Sequence, residues 1–237
     1  MNQRNQDRSD SHSKMNSVKT ALILADGQPP SKSLLESCRR SASIFVCADG
    51  GANIAARYNL KPHLIIGDLD SVNARTLKKF QQVPTRRLTE QNSTDLEKAL
   101  RWLIQKNCKN IVVLGALGKR FDHSIGNVSA LAKFSGQANV RFVDRNAELI
   151  CVGRDYSFEA AKGTTVSLIP LSLCQGVVTS GLKWELNNES LQLGVREGTS
   201  NVVASSPVRI RVRRGALILY RFINGGSTRT RALHKHS

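Results

Sequence analysis

The sequence has little that would suit a membrane protein, an exported protein or a zinc protein. Its longest apolar runs, such as SIFVCA and NIVVLGALG, are well short of the roughly 18 residues that a membrane helix needs. The opening stretch MNQRNQDRSDSHSKMNS has no apolar signal core, so we expect neither export nor a membrane anchor. The five cysteines are odd in number and widely spaced, which argues against CxxC metal pairs and a disulfide framework. We therefore predict a cytoplasmic globular protein with reduced thiols.

Acidic residues are also few: 18 Asp and Glu stand against 35 Lys and Arg, a net charge of +17. Such a charge attracts nucleic acid, anionic membrane surfaces or phosphorylated ligands. Near the C-terminus, Arg209, Arg211 and Arg213 alternate with Ile210 and Val212. Residues two apart share one face of a strand, so this pattern predicts a solvated face of arginines. Nucleic-acid binding is the less favoured alternative, because no RNP-type aromatic pattern, helix-turn-helix or zinc-finger spacing accompanies them.

The pattern of apolar runs divides the chain into four parts. Residues 1–17 are polar and predict a disordered leader. From 18 to 145, the runs TALIL, SIFVCA, HLIIG and NIVVLG alternate with helix-like segments, as in an α/β domain with a parallel sheet. From 146 to 223, strand-like runs follow one another without a convincing helix, which predicts an all-β sandwich. Residues 224–237 read as a flexible basic tail.

Two helices are predicted within the α/β part. The clearer one begins after Thr94, which with Glu97 forms a capping box, and Asp95 in its first turn suits the helix dipole. Its apolar stripe repeats at helical spacing and consists of Leu96, Ala99, Leu100, Leu103 and Ile104. The second helix is predicted to carry Ile125, Val128 and Leu131.

Four polar clusters follow the predicted strands or begin helices, and open α/β sheets bind ligands at this edge. The first, ADGGAN, places Asp49 before Gly50 and Gly51, which permits close approach to a ligand, although such a pattern alone is more often a simple strand-to-helix turn. The second, GDLDS, places Asp68 and Asp70 two residues apart in a loop. Both carboxylates can bind one Mg²⁺, and the alternative is a solvated Asp-rich turn.

The third cluster, EQNSTD, contains Thr94 and Asp95, which helix capping alone would explain. The fourth, GALGKRFDHSIGN, offers two glycines, the guanidinium of Arg120 as a donor fork for phosphate, and the carboxylate of Asp122. It is not a Walker A loop, and the chain has no GxGxxG fingerprint. Together the clusters predict a Mg-nucleotide phosphotransfer site at the carboxyl edge of a parallel sheet.

The order of the motifs ADGGAN, IGDLDS, QNSTDLEKAL, GALGKRFDH, GLKWEL and GTSN resembles the thiamine pyrophosphokinase family over about residues 20 to 222. The resemblance implies an N-terminal α/β domain, a C-terminal β-sandwich and homodimers with active sites between subunits. It also implies transfer of the pyrophosphoryl group of ATP to the hydroxyethyl oxygen of thiamine, with Mg²⁺ as the cofactor. The products would be thiamine diphosphate and AMP.

The resemblance further assigns roles to individual residues. The implied Mg²⁺ ligands are Asp68, Asp70 and Asp95, and the implied catalytic set adds Arg120 and Asp122. Contacts with ATP or substrate are implied for Asp49, Gly50, Gln91, Thr94, Gly118, His123 and Asn127. Contacts with thiamine, including stacking of an indole on the aminopyrimidine, are implied for Trp184, Thr199, Ser200 and Asn201.

Two positions depart from the family pattern. Lys119 stands where a second glycine usually precedes the arginine, and Glu90 stands where the family often has Asp. A competing interpretation is a nucleotide- or RNA-binding module that keeps this fold without catalysis. It predicts salt-sensitive binding to nucleic acid through residues 209–214 and the basic tail, which substitution of Asp68 or Asp70 leaves unchanged. A third interpretation keeps the site and changes the acceptor alcohol.

Overall fold

The computed structural model describes residues 19–223, so the predicted leader and basic tail lie outside the described residues. The helices of this range are α1 (Lys32–Ser41), α2 (Gly51–Arg57), α3 (Ala74–Lys79), α4 (Asp95–Gln105) and α5 (Phe121–Phe134). The strands of the first half are β1 (Thr20–Leu24), β2 (Ile44–Ala48), β3 (Leu64–Gly67), β4 (Thr85–Arg87), β5 (Asn110–Leu114) and β6 (Asn139–Val143). The remaining strands are β7 (Ala147–Val152), β8 (Asp155–Phe158), β9 (Thr165–Pro170), β10 (Cys174–Ser180), β11 (Glu189–Leu191), β12 (Gly198–Val202), β13 (Val208–Arg211) and β14 (Leu217–Phe222).

The first six strands form a parallel sheet in the order β6-β5-β1-β2-β3-β4. Alternate side chains of β1 enter different cores: Ala21 and Ile23 pack on one face of the sheet, and Leu22 and Leu24 on the other. A parallel sheet buried on both faces needs such continuous apolar strands. The four apolar runs predicted as strands are therefore confirmed as β1, β2, β3 and β5.

The sheet continues into the second half of the chain, where the pairing becomes antiparallel. Strand β7 pairs with β6, and β14, β9 and β12 follow, so the large sheet has ten strands. A second sheet, β11-β10-β13-β8, shares an apolar core with this half. The predicted fold class, α/β followed by a β-sandwich, is confirmed. The predicted boundary after residue 145 lies in the turn between β6 and β7.

Helix α4 buries most of its predicted stripe in the core, and Ile104 packs partly buried against the same cluster. Thr94 Oγ1 accepts a hydrogen bond from the backbone N–H of Glu97 at 3.3 Å, which confirms the N-cap. The Glu97 side chain does not complete the predicted capping box, because its carboxylate binds Arg101 at 3.0 Å and Lys133 at 2.7 Å. Two cations hold it away from the helix start.

Helix α5 contains the three apolar residues predicted for it, and they differ in burial. Leu131 is buried and Val128 is partly buried, but Ile125 is 57% exposed. Six residues correspond to about 600° of helical rotation, which leaves Ile125 and Leu131 roughly 120° apart around the axis. The prediction that this helix carries Ile125, Val128 and Leu131 is confirmed, and Ile125 points away from the buried face.

The arginine strand is confirmed as β13, with Arg209 and Arg211 exposed and Ile210 buried. The strand ends at Arg211, so Arg213 is exposed in the following turn and not on the strand. All five cysteines are free thiols. Among residues 19–223, no helix combines the length and apolar character required to cross a bilayer.

Candidate active site

Three carboxylates meet at the carboxyl edge of the parallel sheet. Asp49 follows β2, Asp68 follows β3 and Asp95 is the first residue of α4. Strands β2 and β3 are parallel neighbours, so the chain leaves both of them at the same edge. One carboxylate oxygen from each residue lies within 4.8 Å of the other two. We call these three residues the acidic cluster.

Gly67 makes this close approach possible. Its φ is +153°, a conformation that residues with a side chain rarely adopt. A Cβ at this position would lie 2.9 Å from the Cβ of Asp49 and 3.1 Å from Oδ1 of Asp95. A larger residue would therefore push the carboxylates apart.

Asp49 is the buried member of the acidic cluster, with 6% of its surface exposed. Its Oδ1 has no hydrogen-bond partner among the described residues. Burial raises the pKa of this carboxyl group, and the negative charges of Asp95 and Asp68 raise it further. A buried oxygen without a donor is costly, whereas carboxylate oxygens are the ligands that Mg²⁺ prefers. The donor set of the acidic cluster therefore fits a hard divalent cation.

Lys98 is a member of the site that the sequence reasoning missed. Its Nζ lies 3.0 Å from Oδ1 of Asp95, and the residue is only 4% exposed. The positive charge of Lys98 offsets one of the three carboxylate charges. Two negative charges remain, which a divalent cation would neutralise. The available signal was the spacing, because residues three apart on a helix are neighbours and Lys98 follows Asp95 by three.

Asp70 does not join the acidic cluster. Its backbone N–H donates to Oδ1 of Asp68 at 3.2 Å, and its own Oδ1 accepts from Oγ of Ser71 at 3.0 Å. Leu69 has a φ of +68°, so the chain turns sharply between the two aspartates. The structure thus places Asp49, which we expected to contact ATP, where we expected Asp70. A role for Asp70 in metal binding stays a prediction.

The glycine-rich loop before α5 has a fixed backbone. Gly118 and Lys119 have φ angles of +82° and +56°. The side-chain amide of Asn127 donates to the carbonyl of Ala116 at 2.6 Å, and the N–H of Gly118 donates to Oγ of Ser124 at 3.1 Å. Asn127, which we expected to contact ATP, therefore holds the loop in this structure.

A cavity of about 760 Å³ lies beside this loop and is bounded by α2 and α3. Lys119 lines it and binds Asp26, with 2.7 Å between Nζ and Oδ1. Asn53 also lines it and donates to the carbonyl of Ser71 at 2.8 Å, so the cavity adjoins the GDLDS loop. Four cations around the cavity suit an anionic ligand, and the sequence reasoning had missed three of them: the set is Arg57, Arg75, Lys79 and Lys119.

Arg120 and Asp122 form a two-point ion pair on the surface. Arg120 Nε lies 3.1 Å from Oδ1 of Asp122, and Nη2 lies 2.5 Å from Oδ2. These hydrogen bonds lower the pKa of Asp122 to about 2. His123 is exposed beside them, and the exposed side chain of Gln91 donates to the carbonyl of Thr89 at 3.2 Å. The guanidinium fork is thus aligned by a carboxylate partner.

The predicted thiamine contacts come together at the edge of the β-sandwich. The Asn201 side-chain amide donates to the carbonyl of Trp184 at 2.7 Å, and the N–H of Trp184 donates to Oδ1 of Asn201 at 3.2 Å. Asn201 is buried, so it positions Trp184, whose residue surface is 55% exposed. Lys183 Nζ lies 4.6 Å from the indole centroid. Thr199 and Ser200 are exposed next to Asn201.

Both halves of the chain match family models. The family described as thiamin pyrophosphokinase, catalytic domain, matches residues 35–143, and the vitamin B1 binding domain of the same enzyme matches residues 155–217. Thiamin pyrophosphokinase 1 of Caenorhabditis elegans is 33% identical over 208 residues, which cover 81% of this chain and 85% of the relative. The chain belongs to the thiamine pyrophosphokinase family.

Further relatives agree with this membership, which confirms the resemblance in the motifs. Thiamine pyrophosphokinase 1 of Oryza sativa subsp. japonica is 32% identical over 201 residues, covering 71% of this chain and 75% of the relative. The crystal structure of thiamine pyrophosphokinase from Bacillus subtilis has the same fold, with a TM-score of 0.75 at 24% identity, covering 86% of this chain and 99% of that one. The acidic cluster lies in the part matched as catalytic, and Trp184 lies in the part matched as vitamin B1 binding.

Proposed function

We propose that the protein is a thiamine diphosphokinase, which transfers the pyrophosphoryl group of Mg-ATP to the hydroxyethyl oxygen of thiamine. The observation that carries this proposal is the acidic cluster, with its buried and unpartnered Asp49 oxygen, in the segment matched as the catalytic domain. The exposed indole of Trp184 in the segment matched as the vitamin B1 binding domain supports thiamine as the acceptor.

Asp49, Asp68 and Asp95 would hold the Mg²⁺ ion. When bound, this ion supplies charge neutralisation to the transferring phosphates. The basic cavity beside Lys119 would take the nucleotide, because four cations line it and it adjoins the GDLDS loop. Lys98 would keep Asp95 aligned, since its ammonium group binds one oxygen of that carboxylate at 3.0 Å.

The transfer is a displacement at the β-phosphorus of ATP. A bond forms between this phosphorus and the thiamine hydroxyl oxygen, whose proton is released to solvent. The bond to the bridging oxygen of the α-phosphate breaks, and AMP leaves with that oxygen. Positioning and charge stabilisation do most of the work in such reactions. Arg120 would contribute a planar donor fork for a phosphate, and Asp122 would orient the fork or the thiamine hydroxyl.

The aminopyrimidine of thiamine would stack on the exposed indole of Trp184, because offset stacking of two aromatic rings is favourable. Lys183 already places a cation near this ring, so its ammonium group would move aside or share the surface. Thr199 and Ser200 would bind the polar edge of the pyrimidine. We further propose a homodimer in which the active site lies between subunits. A cytoplasmic location belongs to the same proposal, and the five free thiols suit a reducing compartment.

The test is formation of AMP and thiamine diphosphate from thiamine and Mg-ATP by the purified full-length chain. Asp68→Asn removes one charge from the acidic cluster, and Asp70→Asn removes the neighbouring charge outside it. Asp144→Asn is the matched control, because Asp144 is exposed in the turn after β6 and is not a member of the acidic cluster. We expect both products in equal amounts from the wild type and from the control, and near-complete loss in Asp68→Asn.

Comparison of the two neighbouring variants measures the role of the cluster itself. If metal binding follows the observed geometry, Asp70→Asn retains more activity than Asp68→Asn. A folded wild type that binds ATP without forming either product would refute the kinase proposal and favour a nucleotide-binding module. If a different alcohol yields product and thiamine yields none, the proposed phosphotransfer site stands and the assigned acceptor is wrong.

A further inference from the structure

Three arginines that the proposed reaction does not use surround one depression on the β-sandwich. The depression has a volume of about 490 Å³ and is lined by Arg154, Gln175, Arg213 and Arg214. Arg154 lies in the turn between β7 and β8, and the other two arginines lie in the turn between β13 and β14. All three are exposed. We call them the arginine cluster.

Main-chain hydrogen bonds join these two turns to strand β10, which carries Gln175. The N–H of Gln175 donates to the carbonyl of Arg214 at 2.8 Å, and the carbonyl of Gln175 accepts from Arg213 at 3.1 Å and from Arg214 at 3.2 Å. The carbonyl of Arg154 accepts from the N–H of Val212 at 2.9 Å. The backbones that carry the arginine cluster are therefore fixed by the sheet before any ligand arrives.

The absence of a side chain at Gly176 leaves room for the side chain of Arg213. The φ of Gly176 is +65°, and an added Cβ would lie 2.8 Å from the Cβ and 3.2 Å from the Nε of Arg213. The arginine side chain thus crosses directly over a glycine that has no room for a side chain. A second depression of about 460 Å³ adjoins the first, because Arg154 and Arg213 line both.

Among the described residues, the arginine cluster has no ion-paired carboxylate, and Asp155, which lines the adjoining depression, pairs with Arg211 on β13. Arg211 Nε binds Oδ1 of Asp155 at 2.7 Å. Within residues 19–223, no ion pair joins a carboxylate to Arg154, Arg213 or Arg214. Three guanidinium groups around one depression repel each other, and this repulsion is relieved when an anion binds. The protein also carries a net charge of +17, which raises the local concentration of anions.

The lining indicates the class of ligand. None of the residues that line either depression is aromatic, so no ring is available for stacking a base. Guanidinium forks match phosphate oxygens in two-point contacts. We propose that the arginine cluster is an anion-binding site for a run of adjacent phosphate groups, such as an inorganic oligophosphate or the backbone of a nucleic acid.

The primary test is calorimetric binding of tripolyphosphate to the full chain in EDTA. The double variant Arg213→Ala/Arg214→Ala removes two charges from the arginine cluster. The double variant Arg145→Ala/Arg209→Ala removes the same charge from exposed positions that line neither depression. We expect the first to weaken binding about tenfold or more, since charge-assisted hydrogen bonds are lost, and the second to change it less than about twofold.

Single-stranded oligothymidylate is the second ligand and distinguishes the two sources of phosphate. Loss of tripolyphosphate binding in the cluster variant supports a free oligophosphate, and loss of oligothymidylate binding alone supports a polymer backbone. For the polymer, the slope of log K against log salt should fall by about 1.4 if two phosphate contacts are lost. Equal weakening by both double variants, or no weakening by the cluster variant with either anion, would overturn the proposal. Unchanged melting temperature and thiamine-dependent AMP formation in both variants show that the fold is intact.

Discussion

Asp49→Asn should stabilise the metal-free protein and weaken its response to Mg²⁺. Oxygens of the acidic cluster lie within 4.8 Å of one another, and Asp49 takes part in two of the three like-charge pairs. At an effective dielectric constant of about 20, one such pair costs roughly 3.5 kcal/mol. Attraction to Lys98 and partial neutralisation by the raised pKa of Asp49 offset much of this repulsion. We therefore expect the free energy of unfolding in EDTA to rise by about 2 kcal/mol.

Urea unfolding in EDTA and in excess Mg²⁺ measures both effects. At a free metal concentration about 100 times Kd, the wild type should gain about 2.7 kcal/mol, and Asp49→Asn should gain less than about 1 kcal/mol. Asp144→Asn, outside the acidic cluster, should behave like the wild type in both solutions. A variant that is less stable than the wild type in EDTA, or that gains as much from Mg²⁺, would refute the assignment of Asp49 to a metal site.

Three further outcomes follow from particular contacts. Lys98→Met should lower the free energy of unfolding in EDTA by about 3 kcal/mol, because a buried pair loses its cation, and Mg²⁺ should then restore more stability than in the wild type. Lys119→Gly should change urea stability by less than about 1 kcal/mol, since relief of its positive φ offsets loss of an exposed ion pair. His63 has a pKa lowered first by burial, and its ring accepts the Phe45 N–H at 2.8 Å, so the unfolded chain binds more protons below about pH 6.5. Stability should therefore fall as pH falls through this range, and His63→Asn should flatten the profile in acid titrations of unfolding.

The local features of the α/β half could be read from the sequence. Gly or Asp stands at or just after the end of each apolar run because the chain must turn at the sheet edge, and β2 and β3 stop at these ends. Thr94 was identifiable as an N-cap because capping depends on neighbours three residues away. Such signals act within one turn or one strand, so a single sequence retains them.

Which residues come together in the site could not be predicted from the sequence. Asp68 and Asp70 are close in sequence, yet the positive φ of Leu69 turns their carboxylates apart. Asp49 joins Asp68 in the acidic cluster instead, because β2 pairs with β3. The burial of Lys98 depends on how α4 packs over the same strands. Contacts of this kind are set by pairing between distant segments.

The sequence by itself determined the fold class, the strand ends and the family, because apolar periodicity, turn residues and motif order are local properties of the chain. Only the tertiary structure decided which carboxylates lie together in the acidic cluster, that Lys98 pairs with one of them, and that Arg154 lies near Arg213 and Arg214. The physical reason is that strand pairing joins residues far apart in the chain and brings charges within a few ångströms. The local pattern does not encode their final separation.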